Sequence, residues 1–166
     1  MRWFWIDRFE EFEPGKRAVA VKCVTLAEEH LHDHFPLYPV MPNCLILEGM
    51  AQTGGILVGQ VRNFKEKVVL AKVTRATFFR HVRPGDQIRH EAVVESIGEA
   101  GASIRGTVTL GGETVAEISL MYSHVDKNLG GMEFPEENFV FHEGFMLLLN
   151  SLKGSGWIPD ASSSPA

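Results

Sequence analysis

Cysteine is scarce in this sequence, and its scarcity excludes a fold held together by disulfides. Cys23 and Cys44 are the only two cysteines among 166 residues. A disulfide framework needs more cysteines in a chain of this length, so we expect two reduced thiols, as in a cytoplasmic protein. A basic surplus is also missing, since the formal net charge is -5 with histidine counted as neutral. That balance argues against a non-specific nucleic-acid binder.

Long apolar runs are absent as well. No stretch approaches the roughly 20 apolar residues that a membrane-spanning helix requires. The aromatic start of the chain, Met1 to Phe9, is interrupted by Asp7 and Arg8 and lacks the apolar stretch of a signal peptide. Hydrophobic residues still make up 45% of the chain, which suits a globular domain with a substantial core. We therefore expect a cytoplasmic globular protein without a membrane span.

Alternating and β-branched residues predict several strands. The first follows the turn signal Pro14-Gly15 and runs from Arg17 to Thr25. Turn signals at Pro84-Gly85-Asp86 and Gly111-Gly112 separate later segments of the same kind. Four further strands are thereby predicted: Val68 to Arg80, Gln87 to Ile97, Ala102 to Leu110 and Thr114 to His124.

A long apolar helix is predicted between the first strand and the other four. Residues Cys44 to Val61 are apolar on nearly every side, which predicts a buried helix of about five turns, roughly 27–30 Å long. Its glycines lower helix propensity and indicate close approach of a sheet or a partner helix: Gly49, Gly54, Gly55 and Gly59. One strand, this helix and a meander of four strands predict an α+β fold, with a central helix wrapped by an antiparallel sheet.

The sequence predicts two regions of different character. Residues 1–125 form the wrapped-helix domain, and residues 126–166 form a C-terminal extension. Within the extension, His142 to Leu152 is predicted to be a short helix with Phe145, Met146 and Leu149 on one side. The end, from Ser155 to Ala166, is rich in Ser and Pro and is predicted to be a flexible tail.

The segment that carries chemistry is a histidine on a proline-rich loop followed by an acid on the buried helix. Three prolines between His34 and Asn43 exclude a helix and a central strand, so we expect a stiff, extended loop: Pro36, Pro39 and Pro42. Glu48 lies on the first turns of the helix, where burial disfavours a charged carboxylate. A neutral imidazole and a protonated carboxyl together suit proton abstraction paired with proton donation.

The start of the helix offers a second functional element. Asn43 is a good N-cap candidate, and unpaired backbone amides at a helix start can bind a developing oxyanion. The amides of Asn43, Cys44 and Leu45 are the candidate donors.

At these residues the sequence resembles the bacterial 3-hydroxyacyl-[acyl-carrier-protein] dehydratases of the FabA/FabZ type. The shared signature is a His-Phe-Pro segment, a proline loop, an aliphatic run, an acid and a Met-Ala-Gln segment. Here it falls on His34, Phe35, Pro36, Pro39, Pro42, Glu48, Met50, Ala51 and Gln52. The flanks at Ile6-Asp7-Arg8-Phe9 and Arg83-Pro84-Gly85-Asp86 also resemble the family, so the likeness spans about residues 6–124.

The resemblance implies a hot-dog fold and reversible loss of water from a (3R)-3-hydroxyacyl thioester of acyl carrier protein. It implies that His34 takes the C2 proton and that Glu48 protonates the departing hydroxyl. In that family the site forms at a dimer interface, with the histidine and the acid from different subunits. The implied assembly is a homodimer or a trimer of dimers, and neither a metal nor another cofactor is expected.

The resemblance also suggests roles around the pair. Gln52 lies one helical turn after Glu48 and could orient it. The acyl chain would lie in a tunnel along the helix, with Phe78 and Phe79 as candidates to line or cap it. Two positions depart from the family pattern: Asn43 and Asp33 replace glycines. Asn tolerates left-handed backbone angles better than most residues, so the loop can retain its shape, although its side chain could narrow the site.

Other interpretations of these residues stay open. Glu48 could pair with an arginine across an interface, and the alternating histidines at 30, 32 and 34 could bind a metal. Cys44 is expected to be a small packed side chain, with a nucleophile paired with His34 as the alternative. Arginines at strand ends could form a docking patch for an acidic carrier protein or be merely solvated: Arg75, Arg80, Arg83 and Arg89. The alternative functions are a hot-dog acyl-thioester hydrolase and a non-catalytic subunit that binds acyl carriers.

Overall fold

The computed structural model describes residues 4–125, 138, 140–141 and 143–147. It contains six strands and two helices before residue 125. The strands are β1 Arg8–Glu13, β2 Arg17–Cys23, β3 Val68–Phe78, β4 Gln87–Ile97, β5 Gly101–Leu110 and β6 Glu113–His124. The helices are the short α1 His30–Asp33 and the long α2 Asn43–Val61.

All six strands belong to one antiparallel sheet with the order β1-β2-β4-β5-β6-β3. Helix α2 packs against the inner face of this sheet, as the predicted α+β arrangement requires. The predicted meander of four strands is wrong in one respect. Only β4, β5 and β6 are consecutive neighbours, whereas β3 pairs with β6, from Val68 opposite His124 to Phe78 opposite Ala116.

Strand β1 was not predicted from the sequence. Its residues, Arg8-Phe9-Glu10-Glu11-Phe12-Glu13, are mostly charged, and it lies at an edge of the sheet. It pairs with β2, and Phe9 is its one fully buried side chain. Edge strands expose one row of backbone groups and carry charged side chains more readily than central strands do. Because most of its residues are charged, this segment lacks the apolar alternation by which a strand is predicted from sequence.

Helix α2 has the length and burial that the sequence predicted. Its 19 residues correspond to about 28 Å. Its buried residues lie on every side of the helix, since they include Ile46, Met50, Thr53, Ile56 and Leu57. The sheet curves around such a helix and covers it on most of its circumference.

Two glycines of α2 allow the sheet to approach closely. A Cβ on Gly49 would lie 2.7 Å from Nε2 of His90 on β4. A Cβ on Gly54 would lie 2.4 Å from Ile104 and 2.6 Å from the hydroxyl of Tyr122. Both distances are far below ordinary contact, so a side chain at either position would push the sheet away from the helix.

Helix α2 is also long and apolar enough to cross a membrane by length and composition alone. Over half of its most apolar window is buried inside the protein. The core helix of a globular domain meets the same criteria, and the wrapping sheet provides the apolar surroundings here. The helix is therefore weak evidence for a membrane span.

Strand β3 forms the other edge of the sheet. Most of its 11 residues are exposed, and the exposed side chains include Leu70 and Val73. An edge strand of this length presents a row of unpaired backbone groups that can accept another strand. On the neighbouring strand β6, the side chain of Met121 is also exposed, which extends the exposed apolar surface beside this edge.

Part of the predicted C-terminal helix is present at residues 143–147. The side chain of Phe145 is buried in the core cluster and Met146 packs against it. The rest of the predicted helix, including Leu149, and the predicted tail lie outside the described residues. Residues 138, 140–141 and 143–147 are called the C-terminal arm below. The boundary at residue 125 between the domain and the extension stays a prediction.

Candidate active site

His34 follows α1 and begins a compact turn rather than a fully extended loop. Phe35 and Tyr38 exchange two backbone hydrogen bonds of 3.1 and 2.9 Å, and the amide of Val40 donates to the carbonyl of His34 at 3.0 Å. The peptide bond between His34 and Phe35 is cis. The prediction of an extended loop is therefore wrong for residues 35–38, because the chain turns back on itself between the prolines.

The loop is held against the segment that precedes β4. The amide of Met41 donates to the carbonyl of Val82 at 2.8 Å. Arg83 hydrogen-bonds to the Tyr38 hydroxyl, and its guanidinium lies over the Tyr38 ring, 4.4 Å from the centroid. These contacts fix the turn from both sides and so restrict the position of His34.

The imidazole of His34 has a defined tautomer when neutral. Its Nδ1 lies 3.1 Å from the carbonyl oxygen of Val40, and the ring stacks on Phe35 with centroids 4.2 Å apart. A carbonyl oxygen can only accept, so Nδ1 carries the hydrogen and donates it. Nε2 is then left with a free lone pair and can accept a proton. His34 is half-buried, which leaves this nitrogen within reach of a ligand.

Glu48 lies one turn into α2 and is held by its neighbour on the next turn. Nε2 of Gln52 donates to Oε1 of Glu48 at 2.8 Å. Oε1 of Gln52 accepts from the backbone amide of Trp5 at 2.8 Å. Gln52 is buried, and its amide joins the half-buried Glu48 to the N-terminal segment. The prediction that Gln52 lies beside Glu48 agrees with this geometry.

A cavity of about 250 Å³ opens beside Glu48. Its wall along α2 comes from Glu48, Ala51, Gln52 and Gly55. The remainder of the wall is mostly apolar and comes from β3, β6 and the C-terminal arm: Val68, Val69, Leu70, Tyr122, Val140 and Phe141. A carboxyl at the wall of a mostly apolar cavity is suited to protonate a group on an apolar ligand.

Tyr122 is a polar residue of this wall that the sequence reasoning missed. Its hydroxyl donates to the carbonyl of Ala51 at 2.8 Å. Burial raises the pKa of the Tyr122 phenol well above its ordinary range, and the nearby Glu48 raises it further. Tyr122 therefore stays a neutral donor. The signal for it was present, because Tyr122 continues the inward-facing alternation of Ile118 and Leu120 on β6.

The start of α2 presents fewer amides than expected. Pro42 is the N-cap, not Asn43, and no side chain caps the helix. The prediction of an Asn43 cap is wrong because Asn43 already has helical geometry. The amide of Leu45 donates to the carbonyl of Pro42 at 2.9 Å, so it is occupied. Among the described contacts, the amides of Asn43 and Cys44 have no acceptor, and both residues are exposed.

One chain does not bring all of the predicted site residues together. The cavity beside Glu48 is not lined by His34, Phe78 or Phe79 among the residues described. Phe78 ends β3 and is half-buried against the core, and Phe79 is exposed. Phe78 lies eight positions after Leu70 on the strand, about 26 Å away, so the two ends of β3 lie at different parts of the surface.

The alternative roles receive different support. Cys44 is exposed, so the prediction of a packed cysteine is wrong, and no described contact joins its sulfur to His34. No cluster of potential metal ligands occurs among the described residues. In the same part of the chain Glu48 forms no ion pair and has Gln52 as its partner. Three of the four arginines pair with glutamates of the same chain: Arg75, Arg80 and Arg89.

Comparison with known proteins identifies the family. A model described as the FabA-like domain matches residues 3–119. The 3-hydroxyacyl-[acyl-carrier-protein] dehydratase FabZ of Halalkalibacterium halodurans is 44% identical over 120 residues, which are 71% of this chain and 85% of that protein. FabZ of Pelotomaculum thermopropionicum is 40% identical over 119 residues, with 71% and 85% covered.

Solved structures confirm the hot-dog fold. The dehydratase heterocomplex ApeI:P from Xenorhabdus doucetiae superposes with a TM-score of 0.62 at 14% identity, covering 74% of this chain and 84% of that one. A hypothetical thioesterase with coenzyme A from Streptococcus pneumoniae gives a TM-score of 0.57 at 11% identity, covering 69% and 82%. Since dehydratase and thioesterase share the fold, sequence rather than shape separates them. The match over residues 3–119 and the 44% identity to a FabZ protein show that this chain belongs to the FabA-like, FabZ-type dehydratase family.

Proposed function

We propose that this protein is a dehydratase that removes water from (3R)-3-hydroxyacyl thioesters of acyl carrier protein and yields trans-2-enoyl thioesters for fatty-acid synthesis. One observation carries the proposal: the carboxyl of Glu48 lies at the wall of an apolar cavity large enough for an acyl chain. The curated relatives, which are named as dehydratases of this reaction, support the same substrate class.

His34 acts as the base that takes the proton from C2. Its Nδ1 donates to the carbonyl of Val40, so the neutral ring offers its lone pair at Nε2. The same hydrogen bond holds the ring in place and stabilises the imidazolium that forms when Nε2 accepts the proton. The contacts of Tyr38 and Met41 with the segment before β4 keep the loop in position through this step.

Glu48 acts as the acid that protonates the departing 3-hydroxyl. Gln52 donates to Oε1, so this oxygen is already engaged as an acceptor, and Oε2 is the oxygen from which the hydroxyl takes its proton. Transfer of that proton to the hydroxyl releases water as the C3–O bond breaks. The C2 proton stays on His34, and exchange with water restores the protonated acid and the neutral base before the next turnover.

The thioester oxygen gains negative charge as the C2 proton leaves. Two backbone amides at the start of α2, those of Asn43 and Cys44, have no acceptor among the described contacts. We assign them as donors to that oxygen, because helix-start amides and the positive end of the helix dipole favour developing negative charge.

A complete site requires two copies of the chain. Glu48 lines the cavity and His34 does not, which supports a site that combines the acid of one subunit with the histidine of the other. Strand β3 offers the means, since its exposed edge can pair with the same strand of a second chain. The proposed unit is therefore a homodimer with two equivalent sites, which can assemble further into a trimer of dimers.

An assay with both thioesters tests the function directly. Purified protein is incubated with a 3-hydroxyacyl thioester or a trans-2-enoyl thioester of acyl carrier protein, and products are separated by mass spectrometry. We expect interconversion of the two thioesters without release of free thiol. Release of thiol would instead indicate a hydrolase, and no conversion at any chain length would indicate a non-catalytic carrier-binding subunit.

Two variants show whether the conversion uses the proposed groups. His34→Ala and Glu48→Gln should each lower kcat by about 10²–10⁴-fold, which is the contribution of a single acid or base. Arg105→Ala is the matched control, because Arg105 is exposed on β5, pairs with Glu95 and does not line the cavity. A conversion rate that survives in both variants would contradict the proposed mechanism.

A further inference from the structure

The C-terminal arm lies beyond the part of the chain that the family model matches, which ends at residue 119. The arm nevertheless forms part of the cavity beside Glu48. Val140 and Phe141 belong to the arm, and both line that cavity. A segment outside the family core therefore contributes to the wall of the substrate site.

Hydrogen bonds of Asn138 connect the arm to the loop that follows α2. Its side-chain Nδ2 donates to the carbonyls of Phe64 and Glu66 at 3.0 and 3.1 Å. Its Oδ1 accepts from the amides of Val140 and Phe141 at 3.1 and 2.9 Å. All four hydrogen bonds involve one amide group, so Asn138 fixes both the attachment of the arm and the direction in which it turns.

Aromatic packing holds the arm at the end of α2. The ring of Phe141 meets Phe64 edge-on with centroids 4.9 Å apart, and it lies 5.5 Å from the ring of Phe145. Phe145 in turn stacks on Phe4 at 6.0 Å. Phe141 and Phe145 are both buried, which indicates a docked segment rather than a loosely placed one.

Helix α2 is shaped to receive the arm. A Cβ on Gly59 would lie 2.8 Å from the ring of Phe141. A side chain at this position would therefore displace the ring. Gly59 follows Gly55 by one helical turn, and Gly55 belongs to the cavity wall. Phe141 is thus placed where an acyl chain that runs along α2 away from Glu48 would arrive.

We infer that the C-terminal arm closes the far end of the acyl cavity and limits the length of the acyl chain that the enzyme accepts, an inference that rests on the function proposed above. Along α2 the cavity wall runs from Glu48 to Gly55, which is seven residues of helix or about 10 Å. A chain that fits this span buries each added methylene against apolar walls. A longer chain has to displace Phe141 and break the contacts that hold it. The substrates are accordingly short- and medium-chain acyl groups.

The test is a chain-length profile of kcat/KM, measured as hydration of trans-2-enoyl thioesters from four to sixteen carbons. In the unaltered protein kcat/KM should rise by roughly fourfold per methylene and then fall once the chain reaches the arm. Phe141→Ala removes the barrier and should move the maximum to longer chains by two carbons or more. Val140→Phe fills the cavity and should move the maximum to shorter chains.

Leu147→Ala is the matched control, because Leu147 lies on the same arm but is exposed and does not line the cavity. It should leave the profile unchanged. Val140 is only half-buried, so Val140→Phe decides the question if Phe141→Ala fails to fold. A maximum that stays in place in folded, active variants would overturn the inference and leave the proposed function intact. An unaltered protein without hydratase activity would instead overturn the proposed function.

Discussion

Gln52 Nε2 donates to Glu48 Oε1 at 2.8 Å, while Gln52 Oε1 accepts from the backbone amide of Trp5. The acid is therefore oriented by a side chain that is itself fixed at its other end. Gln52→Leu keeps a similar size but removes both hydrogen bonds. We expect kcat to fall by about 10–100-fold, the loss that accompanies a missing hydrogen bond to a charged or reacting group.

The control for this variant is Gln60→Leu. Gln60 lies two turns further along α2, is half-buried and does not line the cavity. Its replacement should leave kcat within twofold of the unaltered enzyme. Steady-state hydration of an enoyl thioester measures both variants. An equal loss in the two would show that the effect comes from general disturbance of α2 rather than from the orientation of Glu48.

Mixed dimers test the sharing of the site between subunits. A dimer of one His34→Ala chain and one Glu48→Gln chain has one site with both changes and one site with neither. Unfolding the two inactive proteins together and refolding them should therefore restore about a quarter of the activity. Half of the dimers are mixed, and each mixed dimer has one intact site out of two. The measurement is activity against mixing ratio. Activity that stays at the level of the single variants would place His34 and Glu48 of one chain in the same site.

His90 makes the stability of the fold depend on pH. It is completely buried on β4, Nε2–H donates to the carbonyl of Ile46, and burial lowers its pKa from 6.5 to about 4. Between pH 4 and pH 6.5, His90 is protonated in the unfolded chain and neutral in the folded chain. Stability is therefore complete above pH 6.5 and declines as the pH falls towards 4, by roughly 3 kcal/mol in total.

Denaturant unfolding at several pH values measures this decline. The variant His90→Gln keeps a donor for the carbonyl of Ile46 but cannot titrate. Its stability should fall less steeply between pH 6.5 and 4 than that of the unaltered protein, whose carboxylates provide the same background slope. Identical slopes would show that His90 is not the group that takes up the proton.

Two adjacent glycines of α2 should respond in opposite ways to alanine. A Cβ on Gly54 would collide with Ile104 and Tyr122, whereas a Cβ on Gly55 would lie 3.6 Å from Tyr122, an ordinary contact. Gly54→Ala should destabilise the protein by about 1–3 kcal/mol through overpacking. Gly55→Ala should be neutral or stabilise it by up to about 1 kcal/mol through helix propensity.

Thermal and urea unfolding of the two variants give the comparison, with each serving as the control for the other. Gly55→Ala should still lower activity on acyl substrates, because Gly55 lines the cavity and the new methyl group occupies part of it. Equal stability changes in the two variants would contradict the packing of α2 against Ile104 and Tyr122.

The sequence was sufficient for the features whose signals are local. Helix α2 was predictable because its apolar residues continue for five turns without a polar side. A long motif of fixed spacing likewise predicts His34 and Glu48 as the catalytic pair. The hairpin connections of β4, β5 and β6 were equally clear, since turn residues such as Gly111 separate strands of suitable length.

Features that depend on distant partners could not be predicted in the same way. The pairing of β3 with β6 rather than β4 follows from the closure of the sheet around α2, and no local residue pattern specifies it. Strand β1 gains its stability from its position beside β2, which its charged sequence does not reveal. The arrangement of Val140 and Phe141 in the cavity depends on their docking against α2, a tertiary contact across most of the chain.

The order of strands around α2 also determines when this helix can be covered during synthesis. The helix is made before β3, and β3 receives its partner only when β6 is complete, with Val68 opposite His124. Until then α2, which is apolar on nearly all sides, has left the ribosome without the complete sheet around it. A chain cut within β6 would keep that helix exposed, so a nascent or truncated product is a natural client for chaperones even though the finished fold buries it.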